Sequence, residues 1–277
     1  PVATWGPKGS AQWVHLDFSG KYAGGKPSEY RLKLLPQPAS LPKTPLVCTQ
    51  TDDKITIDTG AIRFEVNRKK FTGIETAWFD PTGSGKYDDA NPGIKGSAGP
   101  YLVDGRIIRF DAANDKNVQV VVEEQGPQRV TIAASGWYVN PEGRVDPFCM
   151  FKIRITAYAG QPMLRISHHT ILTYDTRIGR LTDVGFHIGS VLGENFRLGA
   201  DGATQEGALP KLPQTVFLHQ DRCDHFRVVG SGTNSVEGAK SDGWFSLAST
   251  NAPRSSLTVV LRDIWQKFPK DVEMSRD

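Results

Sequence analysis

Met150-Phe151-Lys152-Ile153-Arg154-Ile155-Thr156-Ala157-Tyr158-Ala159-Gly160-Gln161-Pro162-Met163-Leu164-Arg165-Ile166-Ser167-His168-His169-Thr170-Ile171 reads as two strands joined by a turn. Phe151, Ile153 and Ile155 alternate with Lys152, Arg154 and Thr156, a period of two that turns one face to a core and the other to water. Between the runs, Ala159-Gly160-Gln161-Pro162 supplies turn-forming residues. The same pattern recurs on both sides. Upstream it covers 54–66, 105–110, 118–123 and 129–133, and downstream 182–188, 215–220, 243–248 and 256–262.

Many strands at short spacing, punctuated by Gly and Pro turns, predict an all-β chain. The expected architecture is a large antiparallel β-sandwich, supersandwich-like, with a short N-terminal β segment. Nothing alternates strand with helix, so a doubly wound sheet is excluded. The clearest helical candidate is the short run Arg262-Asp263-Ile264-Trp265-Gln266-Lys267-Phe268, which Pro269 would end.

Three segments follow from composition shifts. Residues 1–35 hold at most a strand pair, Ala11 to Phe18 with Glu29 to Leu34, read as a hairpin or the remnant of a preceding β domain. Residues 36–47 contain Pro36, Pro38, Pro42 and Pro45 and read as a stiff linker. Residues 48–277 form the sandwich, and the polar Lys270 to Asp277, after an amphipathic aromatic segment, marks a second boundary.

The 277 residues are 38% hydrophobic and carry 33 basic against 30 acidic side chains, a net +3. That small excess predicts neither nucleic-acid binding nor a polybasic membrane patch, yet it permits a local basic groove for an acidic polymer. No apolar run is long enough to span a bilayer. Cys48, Cys149 and Cys223 lack zinc spacing. Cys149, between Phe148 and Met150, reads as a small buried hydrophobe; a Cys48–Cys223 bridge stays open.

The densest polar group runs from His168-His169 through Tyr174 and Arg177 to Arg180, with His187 on the next strand. Adjacent histidines on a strand point to opposite faces, so His168 and His169 cannot form one site by themselves. The bland reading makes one a core histidine and the arginines an edge. His219 and His225, with Asp221 and Asp224 between them, have no characteristic metal spacing. Gly83-Ser84-Gly85-Lys86 is not a phosphate loop, because the full pattern and the following helix are missing. Trp78, Tyr87, Tyr101, Trp137 and Tyr138 lie near turns, where aromatic faces can stack on sugar rings.

Ile57-Asp58-Thr59-Gly60-Ala61-Ile62-Arg63-Phe64, then Phe151 to Ile166, then His168-His169-Thr170-Ile171, resemble the central β-sandwich of exo-rhamnogalacturonan lyase-type polysaccharide lyases. Leu261 to Lys270 is similar to the segment that closes that sandwich. The opening Trp13-Val14-His15-Leu16-Asp17-Phe18 resembles the last strands of the domain before it. The resemblance implies a β domain ahead of the sandwich and an α/α toroid after it. No helical region replaces the toroid here. A fragment of a longer lyase is therefore expected, with one chain of a complex or a non-catalytic sandwich as alternatives.

The resemblance implies β-elimination at a uronic acid, in a secreted or periplasmic protein whose partner is a polysaccharide or oligosaccharide. The missing toroid domain or a partner chain would complete it, with no nucleic acid and no membrane involved. The chemistry needs a group that neutralises the carboxylate, a base for the C5 proton and an acid for the leaving oxygen. The residue types are present in Arg177, Arg180, His168, His169 and Tyr174, while Trp78, Tyr87, Trp137 and His187 are candidate sugar contacts. No metal ligand and no cofactor are predicted, with calcium left open. The alternative function is a non-catalytic carbohydrate-binding or scaffold sandwich.

Overall fold

The computed structural model describes residues 3–5, 9–18, 20, 24–25, 27, 29–33, 40, 43–80, 82–143, 145–230, 233–249 and 256–276. The chain opens with β1 (Ala3–Trp5) and β2 (Ser10–Trp13), followed by β3 (Val47–Gln50), β4 (Lys54–Asp58) and β5 (Ile62–Asn67). Next come β6 (Thr76–Phe79), β7 (Ile94–Lys95), β8 (Gly99–Asp104) and β9 (Arg109–Asp111). A short 3-10 turn, Ala112–Asn114, leads to β10 (Gln119–Gln125), β11 (Arg129–Trp137), β12 (Met150–Tyr158) and β13 (Leu164–Ile171). Then follow β14 (Leu181–His187), β15 (Asn195–Ala200), β16 (Ala203–Ala208), β17 (Val216–Arg222) and β18 (His225–Gly230). The last are β19 (Thr233–Gly238), β20 (Ser241–Ala248), β21 (Ser256–Val260) and β22 (Lys270–Met274). The all-β sandwich expectation holds, and the described residues contain no α-helix. None of their helices is long and apolar enough to cross a membrane.

Two compact units form. The first takes Pro1–Phe71 and Tyr101–Val184, the second Thr72–Pro100 and Gly185–Asp277. In the first, β10, β11, β12 and β13 make an antiparallel sheet in chain order. From Arg129↔Tyr158 to Trp137↔Met150 the β11–β12 register runs unbroken. Phe151, Ile153 and Ile155 therefore share one face with Val130, Ile132 and Ala134, and all six are buried. Each such aliphatic or aromatic side chain gains about 1.5–3 kcal/mol from leaving water. β4 and β5 bury Ile55, Ile57, Ile62, Phe64 and Val66 on alternate positions. Phe71 stacks on Phe151 at 5.8 Å between ring centroids. On the outer face, a bulge in β10 between Val122 and Glu124 lets Glu123 meet both Arg154 and Lys152 of β12.

The second unit packs two four-stranded sheets, β16-β15-β20-β21 and β19-β18-β17-β22. Their core joins Phe196, Leu198, Leu218, Phe226, Val228 and Ile264, with Trp265 partly buried against it. Gln220 is fully buried, and its amide is satisfied by the carbonyls of Arg222, His225 and Ala239 and by the Ser241 amide.

Several local expectations fail for physical reasons. Residues 262–268 are turns, because Asp263 takes a left-handed φ of 57° and only one i→i+4 bond forms, from Lys267 N–H to Asp263. The polar segment marked as a boundary contains β22, which adds to β17 with Val272 and Met274 buried. Within 105–110, the first residues form the β8–β9 turn, with Ile107 at φ 65°. The Asp104 carboxylate organises that turn by accepting from the Arg106 and Ile108 amides. At the N-terminus β2 ends at Trp13 and pairs with β1, while 29–33 are not a strand. Half of 36–47, residues 36–39 and 41–42, lies outside the described residues.

Phe151→Ala removes the ring at the centre of the first unit's core and is expected to cost about 3–5 kcal/mol, measured by urea unfolding. A loss near zero would mean that the Phe71 stack does not organise this unit.

Candidate functional site

The sequence-expected residues fall into separate places. In the first unit, His168 faces inward, paired in register with Ile153, while His169 is exposed on the outer face opposite Lys152. The two histidines therefore do not converge. The Tyr174 ring stacks on Phe148 at 4.5 Å and leaves no room for a Cβ on Gly179. Arg177 is 88% exposed and holds Asp175 in its own turn, 2.6 Å from Nη2 to Oδ2. An ion pair so exposed to water contributes little to stability. Arg180 is exposed, and its carbonyl accepts from the Gly105 amide.

Three candidates belong to the second unit. Trp78 on β6 is half-buried and donates its indole N–H to the Asp89 carbonyl at 3.3 Å. Tyr87 is half-buried in the loop that Asp80 organises by accepting from Thr82 and Gly85. His187 is exposed at the end of β14, where its Nδ1 accepts from the Ala98 amide at 3.0 Å. That bond leaves the proton of a neutral His187 on Nε2.

His168 is held by a residue outside the expected set. Its Nε2 lies 2.6 Å from the hydroxyl of Tyr138, and Thr170 Oγ1 is 3.4 Å from the same oxygen. Tyr138 is fully buried, and burial pushes its phenol up to about 12. The phenol therefore keeps its proton and donates to an unprotonated imidazole. Burial, and after it the neighbouring His169 charge, lowers His168 to about 4. At neutral pH the pair is uncharged, which is what a low-dielectric site favours.

Trp137, directly before Tyr138, has the opposite fate. It ends β11 on the outer face, 37% exposed, in a groove of about 720 Å³. Asn114, Lys116, Asn117, Asn140 and Glu142 line the groove beside it. One buried carboxylate builds this site. Asp115, 5% exposed, accepts from the Trp137 amide at 2.8 Å and from the Asn117 amide at 2.8 Å. It therefore ties the Trp137 backbone to that of the turn that carries Lys116. Gly136 makes the approach possible, since a Cβ there would stand 2.3 Å from Asp115 Oδ2. Asn114 Nδ2 donates to the Val139 carbonyl and Asn140 Nδ2 to that of Arg109, which fixes the remaining walls.

An exposed indole ringed by amides and charges can stack on the apolar face of a pyranose and hydrogen-bond its hydroxyls. Sequence reasoning found Trp137 but missed Asp115, Lys116 and the asparagines. The only signal was the polar run Asn114-Asp115-Lys116-Asn117 between two strands, and such runs are common in loops. Among the described residues no cluster of three or more His, Cys, Asp or Glu could hold a metal ion, and the three cysteines are free thiols.

Two outcomes follow. An unfolded chain takes up a proton at His168 that the folded chain refuses, so stability falls as pH drops from about 6.5 to 4. The loss is at most about 3 kcal/mol and stops below the lower value. Urea titrations across that window should show the slope, and His168→Gln should flatten it. Separately, Gly136→Ala should cost about 1–3 kcal/mol by displacing Asp115, whereas Gly126→Ala, whose Cβ would meet nothing nearer than 3.8 Å, serves as the neutral control in thermal melts.

Of the curated proteins compared, none matches the sequence. The family model described as PcRGLX-like protein central beta sandwich domain matches residues 46–196, more than half of the chain. With β3 to β14 inside that match, the chain belongs to this family, a β-sandwich domain of rhamnogalacturonan lyase-like proteins.

Proposed function

We propose that this chain is the sandwich portion of a polysaccharide lyase that cleaves an acidic, uronic-acid-containing polysaccharide by β-elimination, and that it grips the glycan along the Trp137 groove. The observation that carries the reading is the exposed indole of Trp137, whose backbone amide Asp115 holds, in a polar groove within the family-matched region. A core tryptophan would be as buried as Tyr138; this one stays exposed on the outer face of the sheet.

The elimination requires removal of the C5 proton, neutralisation of the adjoining carboxylate and protonation of the leaving oxygen. Exposed Arg177, Arg180 and His169 are of the right type to meet an anionic substrate, arginine through its bidentate fork. Arg177 is already engaged by Asp175, which favours Arg180 for that role. His168 is committed to Tyr138, which supports a holding role rather than proton transfer. A polysaccharide outside the cell accounts for the expected secreted or periplasmic location, and a further helical domain or partner chain would supply the rest of the cleft.

The second reading is a sandwich that binds glycan without cleaving it. The dispersal of His168, His169 and Tyr174 favours it, because general acid–base work needs groups converging on one proton. Both readings predict that Trp137→Ala weakens binding of an acidic oligosaccharide by about 0.5–1.5 kcal/mol while leaving the melting temperature nearly unchanged. Ultraviolet absorbance from unsaturated uronides separates them: its appearance supports the lyase, and binding without it supports the module. Full affinity in Trp137→Ala would remove the groove from either account.

A further inference from the structure

We infer that residues 14–18 form a strap latched to the β10–β11 hairpin by the Arg129 guanidinium, so that salt releases it without unfolding the sandwich. Arg129 opens β11, just after the turn closed by the bond from the Gly126 amide to the Arg129 carbonyl. Its side chain is only 18% exposed. Nη2 donates to Glu124 Oε2 of β10 at 2.8 Å and to His15 Nδ1 at 3.0 Å, while Nε lies 3.4 Å from Asp17 Oδ2. Glu124 is held in turn by the Thr131 hydroxyl, 3.3 Å from Oε2. One guanidinium thus joins a carboxylate of the hairpin to a carboxylate and an imidazole of the strap.

Apolar packing adds little to this hold. Val14, Leu16 and Phe18 are 58%, 54% and 64% exposed, and the Phe18 ring meets Tyr30, which is also outside the sandwich strands. Among the described residues, no backbone bond joins 14–18 to the hairpin. The strap therefore touches the sheet through its polar residues and leaves its apolar ones wet, the reverse of a core segment. The latch needs geometry as well as charge. A guanidinium donates along Nε and Nη2 at once, whereas a lysine ammonium is a point charge that cannot serve both sides. Without Arg129, Asp17 and Glu124 would face each other as like charges. Asp17 and His15 are partly exposed, so added salt weakens their hold.

The test is limited chymotrypsin digestion of the whole chain. Cuts after Leu16 and Phe18 are read by mass spectrometry and scaled to the rate for a free peptide of residues 10–24 under the same conditions. In about 0.05 M salt the chain should be cut about tenfold more slowly than the peptide, and in about 0.5 M salt at nearly the peptide's rate. Arg129→Gln should be cut fast at either salt level, and Arg129→Lys at a rate between. Asp17→Asn, which lies outside the sandwich strands, should speed the low-salt cut about two- to fivefold with the melting temperature unchanged. In the Arg129→Gln background it should add nothing, because both substitutions break the same contact. Cutting at the peptide's rate in low salt, or a rate that ignores salt or Asp17→Asn, overturns the inference. So does an Asp17→Asn effect that persists without Arg129.

Discussion

The antiparallel register of β11 on β12 is the constraint from which the rest of the first unit follows. Side chains alternate across a strand, so one residue of slip would exchange every inward group for its outward neighbour. Phe151, Ile153 and Ile155 would meet water, and Lys152 and Arg154 would enter the core. Such a slip buries two charges and exposes three large apolar groups, so the register is strongly specified. The same alternation hands Trp137 to the outer face opposite Met150.

The strand's end is where this regularity is put to use. Trp137 and Tyr138 are neighbours, yet one is the wall of a groove and the other is fully buried. Tyr138 must then find a partner inside, and His168 of β13 supplies it. The polar pair survives burial because both members are neutral. Asp115 solves the opposite problem. It is a charge with little exposure, and two backbone amides compensate it. That compensation depends on Gly136, because any side chain at that position would occupy the carboxylate's place. A glycine inside a strand, otherwise a weakness, here admits a close approach.

The fold was legible in most strands that alternate cleanly, although the half-buried β15 and β18 went unread. β12 matches its expected limits residue for residue, and β4, β5 and β13 nearly so. Two edge strands, β16 and β19, were not legible. β16 and β19 carry Ala-Thr-Gln-Glu-Gly-Ala and Thr-Asn-Ser-Val-Glu-Gly, and an edge strand need not alternate because it covers little core. The failed helix at 262–268 had the right aromatic spacing, but Asp263 in the left-handed region stops propagation after one turn.

The sequence by itself determined the fold class and most strands of the first unit's main sheet, because a period of two is a local property of the chain, and its motifs carried the resemblance to the family of the sandwich. It also marked Trp137 as a residue of interest through its place before a Pro-containing turn. Only the tertiary structure decided which aromatic is exposed, which histidine is buried and which carboxylate supports the groove. Asp115 and Trp137 are distant in sequence and meet through the fold, and Tyr138 and His168 lie on different elements. Pairings of that kind depend on how strands stack, and no local pattern records them.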